Sequence, residues 1–489
     1  MSKALDMFGN ARSDASCYQL HFHPVAKDMI KEYVLSELPI NLLRLPRMEI
    51  CTRWVVWSHV QSIMDNLESL HDVPPRLRHS EKDPDTSDIV AFVNDKVRWA
   101  IFSHRWGEAE PAYEEVTGNK LSDKPGHKKL RNFCKTAHAK HHTEFAWSDT
   151  CCINKKDNGE YATSIRSMYR WYANAPICVV HLAEAMDVSD LARDVWFTRG
   201  WTLQELLAPK KLKFYNKDWR PLTNLDNDKE SPEIAAQIER ATTITPDDLR
   251  HFSPADRLTQ EYEISKRMRW AALRETTVGE DRAYSLMGIF SVSLYIDPGE
   301  GQERAVCRLM EQILQFSNSP EVLNWAGIPA RETSLSSSAF PSRIACFTGS
   351  NDTGTIHRYD EELGLTPRGL RVDLLVLNAN LVAQDNGAPT FQALGCNVVS
   401  PVVLDNHDGG HLQSDGFQYA FGVWNFHSFQ GRCDPAPGDP LEALLLARQI
   451  DPRSKLPKTE WAKVCTKRFV RLEGVGAQKW VGFREKVWV

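Results

Sequence analysis

Between residues 97 and 216, short apolar runs alternate with segments of helical period, and this alternation constrains the fold more than any other feature. Residues 97–103 (V-R-W-A-I-F-S), 145–147, 177–182 and 211–216 have strand length and apolar character. Residues 126–142 and 159–174 carry apolar side chains at helical spacing: Leu130, Phe133 and Ala137 in the first, Ile165, Met168, Tyr169 and Tyr172 in the second. Strands separated by helices need crossover connections, so the expected fold class is α/β, a mostly parallel sheet flanked by helices. Sites in such sheets gather beyond the carboxyl ends of the strands. That rule sets Ser103 to Trp106, Asp149 to Asn154, and the Arg199 to Glu205 segment along one edge.

The densest stretch is 196–209, W-F-T-R-G-W-T-L-Q-E-L-L-A-P. Trp196, Phe197, Trp201, Leu203, Leu206 and Leu207 surround Arg199 and a single carboxylate, Glu205. Gly200 permits a tight turn, Thr202 is placed to cap a helix over 203–208, and Pro209 stops it. Beside tryptophans, Glu205 would be driven toward its neutral form by desolvation and drawn back by Arg199. A carboxylate so poised is a functional-site candidate, and a structural ion pair has the same signature.

At 489 residues the chain has room for about three domains. The lead-in, 1–90, reads as extended over 35–50 (Pro39, Pro46), helical over 54–70 and loop over 71–88, with His21 and His23 a weak metal signal. The α/β rhythm occupies 91–220. Residues 221–330 read as helical at 231–250, 262–276 and 305–316, with Trp270, Ala271 and Leu273 expected to pack back on the α/β domain. From 331 to 489, alternating segments such as L-R-V-D-L-L-V-L and Q-Y-A-F-G-V-W-N-F predict a β-rich domain, sandwich or barrel, with His407 and His411 in a solvated turn.

Composition excludes several classes. A net charge of -5 implies no basic field for nucleic acid. The 11 cysteines are odd in number and scattered without a C-x-x-C pair, as for free thiols in a reducing compartment. The opening residues lack an apolar secretory core, and no run reaches the roughly 18 apolar residues of a membrane helix. A soluble, cytoplasmic protein without a membrane span is expected. Cys134, His138 and His142 are too spread along a helix for one tetrahedral ion, so no metal is expected. Cys152 has no nearby histidine base and reads as a buried thiol.

Four ordered motifs, I-F-S-H-R-W-G, W-S-D-T-C-C-I-N, M-Y-R-W-Y-A-N-A and F-T-R-G-W-T-L-Q-E-L-L-A-P, resemble the fungal heterokaryon-incompatibility (HET) domain over about 97–220. Residues 264–290 (I-S-K-R-M-R-W to S-L-M-G-I-F) resemble the region that often follows it. Lys155 stands where the family usually has Gln, and D-P-G-E-G at 297–301 replaces a usual Y-G-E-G.

The resemblance implies a flavodoxin/TIR-like sheet, similar to Toll/interleukin-1 receptor domains, and a role as an effector of regulated cell death in self/non-self recognition. G-W-T-L-Q-E-L is similar to the TIR segment whose glutamate is catalytic in the members that cleave NAD, which gives Glu205 the catalytic role. Cleaving the nicotinamide–ribose bond passes through an oxocarbenium-like state that a carboxylate near the ribose hydroxyls stabilises. NAD would then be substrate, with no cofactor. Ser103, Arg105, Trp106, Asp149, Arg199 and Trp201 complete the candidate substrate-binding set: indoles for a flat base, guanidiniums for phosphate. Three of them have a plain alternative: Ser103 as a turn residue, Asp149 bonding its own loop, and Arg199 clamping Glu205. The other implied mechanism is non-enzymatic, a scaffold acting by HET-domain self-association downstream of a recognition partner.

Overall fold

The structure is a computed structural model. It describes residues 24–66, 77, 85–254, 264–317, 319–330, 339–350, 363–366, 369–382, 390–393, 396–398, 402–404, 416–424, 426–429, 432–435, 441–454, 456, 461–474 and 483–488. His21, His23, His407 and His411 lie outside them. The chain divides into two compact units, 1–187 with 208–231, and 188–207 with 232–489.

The first unit is built on a six-stranded sheet. Its strands are β1 (Asn41–Arg44), β2 (Glu49–Thr52), β3 (Trp99–His104), β4 (Phe145–Trp147), β5 (Ile177–His181) and β6 (Leu212–Tyr215), in the spatial order β2-β1-β4-β3-β5-β6. β4, β3, β5 and β6 run parallel, as the alternating sequence predicts. The β1–β2 hairpin adds an antiparallel extension. Every residue of β3 and β5 is buried, the pattern of strands covered on both faces.

Three helices surround the hairpin and lead into β3: α1 (Pro24–Glu37), α2 (Arg53–Asp65) and α3 (Thr86–Val97). The expected extended segment is thus a helix end followed by a hairpin, because Leu42 and Leu43 bury completely in the sheet. α3 begins inside the expected loop, where Asp85 accepts hydrogen bonds from Ser87 N and Asp88 N. Val97 ends that helix instead of opening β3; Arg98, in the left-handed region (φ 44°), separates the two.

A short α4 (Tyr113–Thr117) follows β3, and the crossovers are α5 (Pro125–His141) and α6 (Asn158–Asn174). α5 buries Leu130, Phe133, Cys134 and Ala137, with Phe133 stacked on Phe102 of β3 at 4.3 Å. α6 is capped by Asp157, and its Tyr172 hydroxyl donates to the Phe102 carbonyl at 2.7 Å. At the β6 edge, buried Asp228 accepts from Phe214 N (2.7 Å) and Lys213 Nζ (2.9 Å). That pairing occupies an otherwise open edge strand.

The second unit starts with two 3-10 turns, Val188–Arg193 and Val195–Thr198, and α7 (Thr202–Leu207). It continues through α8 (Pro232–Thr242), α9 (Pro246–His251), α10 (Ile264–Ala272), α11 (Asp281–Tyr284), α12 (Met287–Phe290) and α13 (Gln302–Phe316). Trp270 and Ala271 are buried, but Leu273 is 73% exposed because the helix has ended at Ala272.

The β-rich region is a barrel. Strands Gly369–Val382, Phe417–Val423, Leu441–Gln449, Val470–Gly474, Cys396–Val398 and Thr390–Ala393 pair antiparallel in that order, and the last pairs with the first. Alternate residues (Leu375, Leu377; Tyr419, Phe421, Val423; Leu441, Ala443, Leu445) fill one core. The opposite face is buried too, through Leu374, Val376, Ala420, Leu444 and Leu446. Gly422 lies on that face, where a Cβ would come within 2.7 Å of Leu374 Cδ1. Among the described residues no helix is long and apolar enough to cross a membrane.

Candidate functional site

Two groups of sequence-predicted residues take shape, one in each unit. In the first unit, parallel pairing of β3 with β4 sets their carboxyl ends side by side. Ser103 is fully buried within β3. Three residues on, Trp106 is 45% exposed, and its indole N–H donates to Asp149 Oδ2 at 2.8 Å. Asp149 therefore bridges the two strand ends. The Lys155 ammonium lies 3.9 Å from the Trp106 ring centre, a cation–π contact. Arg105 reaches Glu184 at 3.5 Å, both about half exposed.

Behind this surface sits a cluster that sequence reasoning missed. Glu110 accepts from Gly107 N (2.7 Å), pairs closely with Lys129, and has His104 Nε2 3.6 Å away. Burial favours its neutral form, but His104 and Lys129 outweigh that and hold its carboxyl down to about 2. Lys129 also donates to the Arg105 carbonyl at 2.9 Å, which fixes the turn carrying Arg105 and Trp106. Only the fold shows that residues 104, 110 and 129 meet. Cys152 is buried, and burial pushes its thiol well above the usual range, as befits an inert core residue.

In the second unit, residues 196–207 are pinned to residues 274–282. The strand-like bridge between Arg199 and Glu275 is joined by Gly200 N–H donating to Glu275 O at 2.8 Å. Gly200 is needed for that approach, since a Cβ there would lie 2.5 Å from Thr276 Cγ2. Trp201 donates its indole N–H to Asp281 at 3.1 Å, and Arg282 pairs with Glu275. Glu280, in the same cluster, accepts from Gly299 N at 2.7 Å.

Glu205 lies on α7 and is only 5% exposed. Its cationic neighbour is Arg274, not Arg199. Burial lowers the Arg274 guanidinium to about 9, and the Glu205 carboxylate acts against that shift. Arg274 also donates to Arg199 O (3.0 Å) and Thr202 Oγ1 (2.9 Å). The Arg199 guanidinium reaches Thr277 Oγ1 at 3.3 Å instead of the carboxylate. The expected cap also changes: α7 starts at Thr202, whose hydroxyl donates back to Trp196 O (2.6 Å) and Arg199 O (2.9 Å).

Residues 99–194 match the family model described as heterokaryon incompatibility protein (HET). The chain carries a HET domain. That match spans β3 to β5 with Ser103, Arg105, Trp106 and Asp149, and it stops before Arg199, Trp201 and Glu205. The chain is also similar to "Vegetative incompatibility protein HET-E-1" of Podospora anserina, 38% identical over 231 residues. The similarity covers 44% of this chain and 16% of that relative, so the chain spans only a small part of its length. No solved structure matches the chain significantly. Among the described residues no group of His, Cys, Asp or Glu could hold a metal ion near the HET motifs or elsewhere.

Proposed function

We propose that this protein acts in heterokaryon incompatibility, as a self/non-self effector of cell death whose HET domain signals by self-association. The family match and the incompatibility protein it resembles support the role. The parallel strand order β4-β3-β5-β6, second-first-third-fourth in sequence, is that of flavodoxin-like sheets and supports the TIR-like reading.

The observation that favours association over NAD cleavage is the state of Glu205. A carboxylate that stabilises an oxocarbenium ion must reach the ribose. Glu205 is buried, with the Arg274 charge set against it, and the nearby polar groups are committed: Trp201 to Asp281, Arg199 to Thr277. Such an arrangement serves to lock α7 to residues 274–282.

The test is nicotinamide release from NAD by the concentrated full chain, beside Glu205→Gln, together with expression in a fungus. Cell death with no nicotinamide release is the expected result. Release by wild type that disappears in a folded Glu205→Gln protein would replace this reading with the enzymatic one.

A further inference from the structure

The exposed side of α5 carries charge of one sign only. Between residues 124 and 143 there are six Lys or Arg and four His, and no Asp or Glu. Within α5, Lys128, Arg131, Lys135 and His138 follow one another at steps of three and four, so at 100° per residue they fall within an arc of about 80°, and Lys124 and His142 extend the row at the two helix caps. The other side of the helix is the apolar face buried against the sheet. Two of the six have acidic neighbours in the same molecule: Arg131 with Asp123 at 3.2 Å and Lys124 with Glu115 at 3.7 Å. His138 Nδ1 is 3.0 Å from Thr143 O. No ion pair involves Lys128, Lys135 or His142 among the described residues.

This stripe works against the helix that bears it. Like charges three and four residues apart repel. Lys128, in the first turn, opposes the positive end of the helix dipole, and that turn itself holds no acidic residue, while the basic last turn suits the negative end. An anionic partner laid along the stripe would relieve both costs.

We propose that the stripe docks on an acidic surface of a second copy of this chain. Charge complementarity selects that partner. Six of the 59 Lys and Arg lie in residues 124–143, which leaves 53 against 64 Asp and Glu over the rest of the chain. The remainder of each molecule attracts the stripe of another. The same acidic surplus repels nucleic acid and anionic membranes. The exposed positions of α5 also lack any large apolar side chain to insert in a bilayer. Because the stripe and its acidic complement are different surfaces, the contact is head-to-tail and can propagate from molecule to molecule. The proposal rests on the self-association reading and names the surface that carries it.

Sedimentation velocity of the full chain, over a range of protein concentrations and from about 20 to 300 mM NaCl, tests it, since screening of surface charge spans this range. The expected result is concentration-dependent association that weakens with salt and falls at least tenfold in Lys128→Glu/Lys135→Glu. Lys31→Glu/Lys210→Glu, exposed positions off the stripe with the same change in net charge, should stay near wild type. Association that is equally strong in both double variants would overturn the stripe while leaving self-association standing. A chain that stays monomeric at every salt concentration would overturn self-association as well. Binding of the wild type to anionic vesicles or DNA, lost in the stripe variant without self-association, would replace the second copy with that partner.

Discussion

Arg274 is buried beside α7 as the cationic neighbour of Glu205, and it also holds the carbonyl of Arg199 and the hydroxyl of Thr202. One guanidinium thus fastens the turn and the start of the helix that bears the carboxylate. Removing one partner of a buried charge pair strands the other. Arg274→Met should therefore destabilise the protein by about 3–5 kcal/mol, and Arg274→Met/Glu205→Leu by clearly less than the sum of the single changes. Urea unfolding of the four proteins checks this. Additive losses would mean that the two groups do not interact.

Gly200→Ala places a methyl group 2.5 Å from Thr276 Cγ2. Overpacking of this kind costs about 1–3 kcal/mol. Thr276→Ser removes that methyl while keeping the hydroxyl that donates to Val278 O. The double variant should recover most of the loss in thermal unfolding. Full additivity would locate the strain elsewhere, at Ser285 or the Glu275 carbonyl.

At the strand ends of the HET domain, Lys155 over Trp106 is an exposed cation–π contact. A double-mutant cycle of Lys155→Gln and Trp106→Phe should give a coupling of about 0.5–1 kcal/mol. Both variants should remain folded, because the core beneath, Phe102 and Phe133, is untouched.

Acid should expose the Glu110 cluster. Its folded carboxyl, held to about 2, lies below the ordinary glutamate value of 4.5, so the unfolded chain takes up the proton first. The stability it contributes is complete above 4.5 and drains away as the pH falls toward 2. Glu110→Gln should flatten the stability profile in that window and leave its slope near neutrality unchanged.

Near neutrality two buried lysines also tilt stability upward with pH. Lys463 donates to the carbonyls of Leu323 (3.2 Å) and Trp325 (3.3 Å) and sits 3.2 Å from the Trp325 ring centre, yet burial lowers it to about 7. Lys229 is lowered to about 7 for the same reason. From 7 upward the unfolded chain holds protons that the folded chain has released, so stability rises with pH. Between pH 7 and 8.5 that slope should be reduced in Lys463→Met and again in Lys229→Met. Unchanged slopes would show that both ammonium groups stay protonated throughout.

Local pattern made much of the fold legible. β3, β4, β5 and β6 lie where short apolar runs predicted them, because a strand buried on both faces must be apolar along its length. Of the barrel strands, Gly369–Val382 and Phe417–Val423 lie in segments that alternation marked, whereas Leu441–Gln449 was not read from the sequence. α1, β1, β2 and α3 did not, since their polar residues and prolines mask faces that bury only in tertiary contact. Of the site, the exposed indole of Trp106 and the burial of Glu205 were open questions until neighbouring elements were in place.

The order of the motifs, the strand and helix periods and the one-signed stripe of α5 are properties of the chain read along its length, and they needed no coordinates. The choice of Arg274 over Arg199 as the partner of Glu205 depended on tertiary packing, as did the Asp149 bridge to Trp106 and the Glu110 cluster. The reason is that an ion pair follows distance and burial. Arg199 stands six positions from Glu205 in sequence, but its guanidinium turns outward to Thr277, while the packing of residues 274–282 carries Arg274 into the interior.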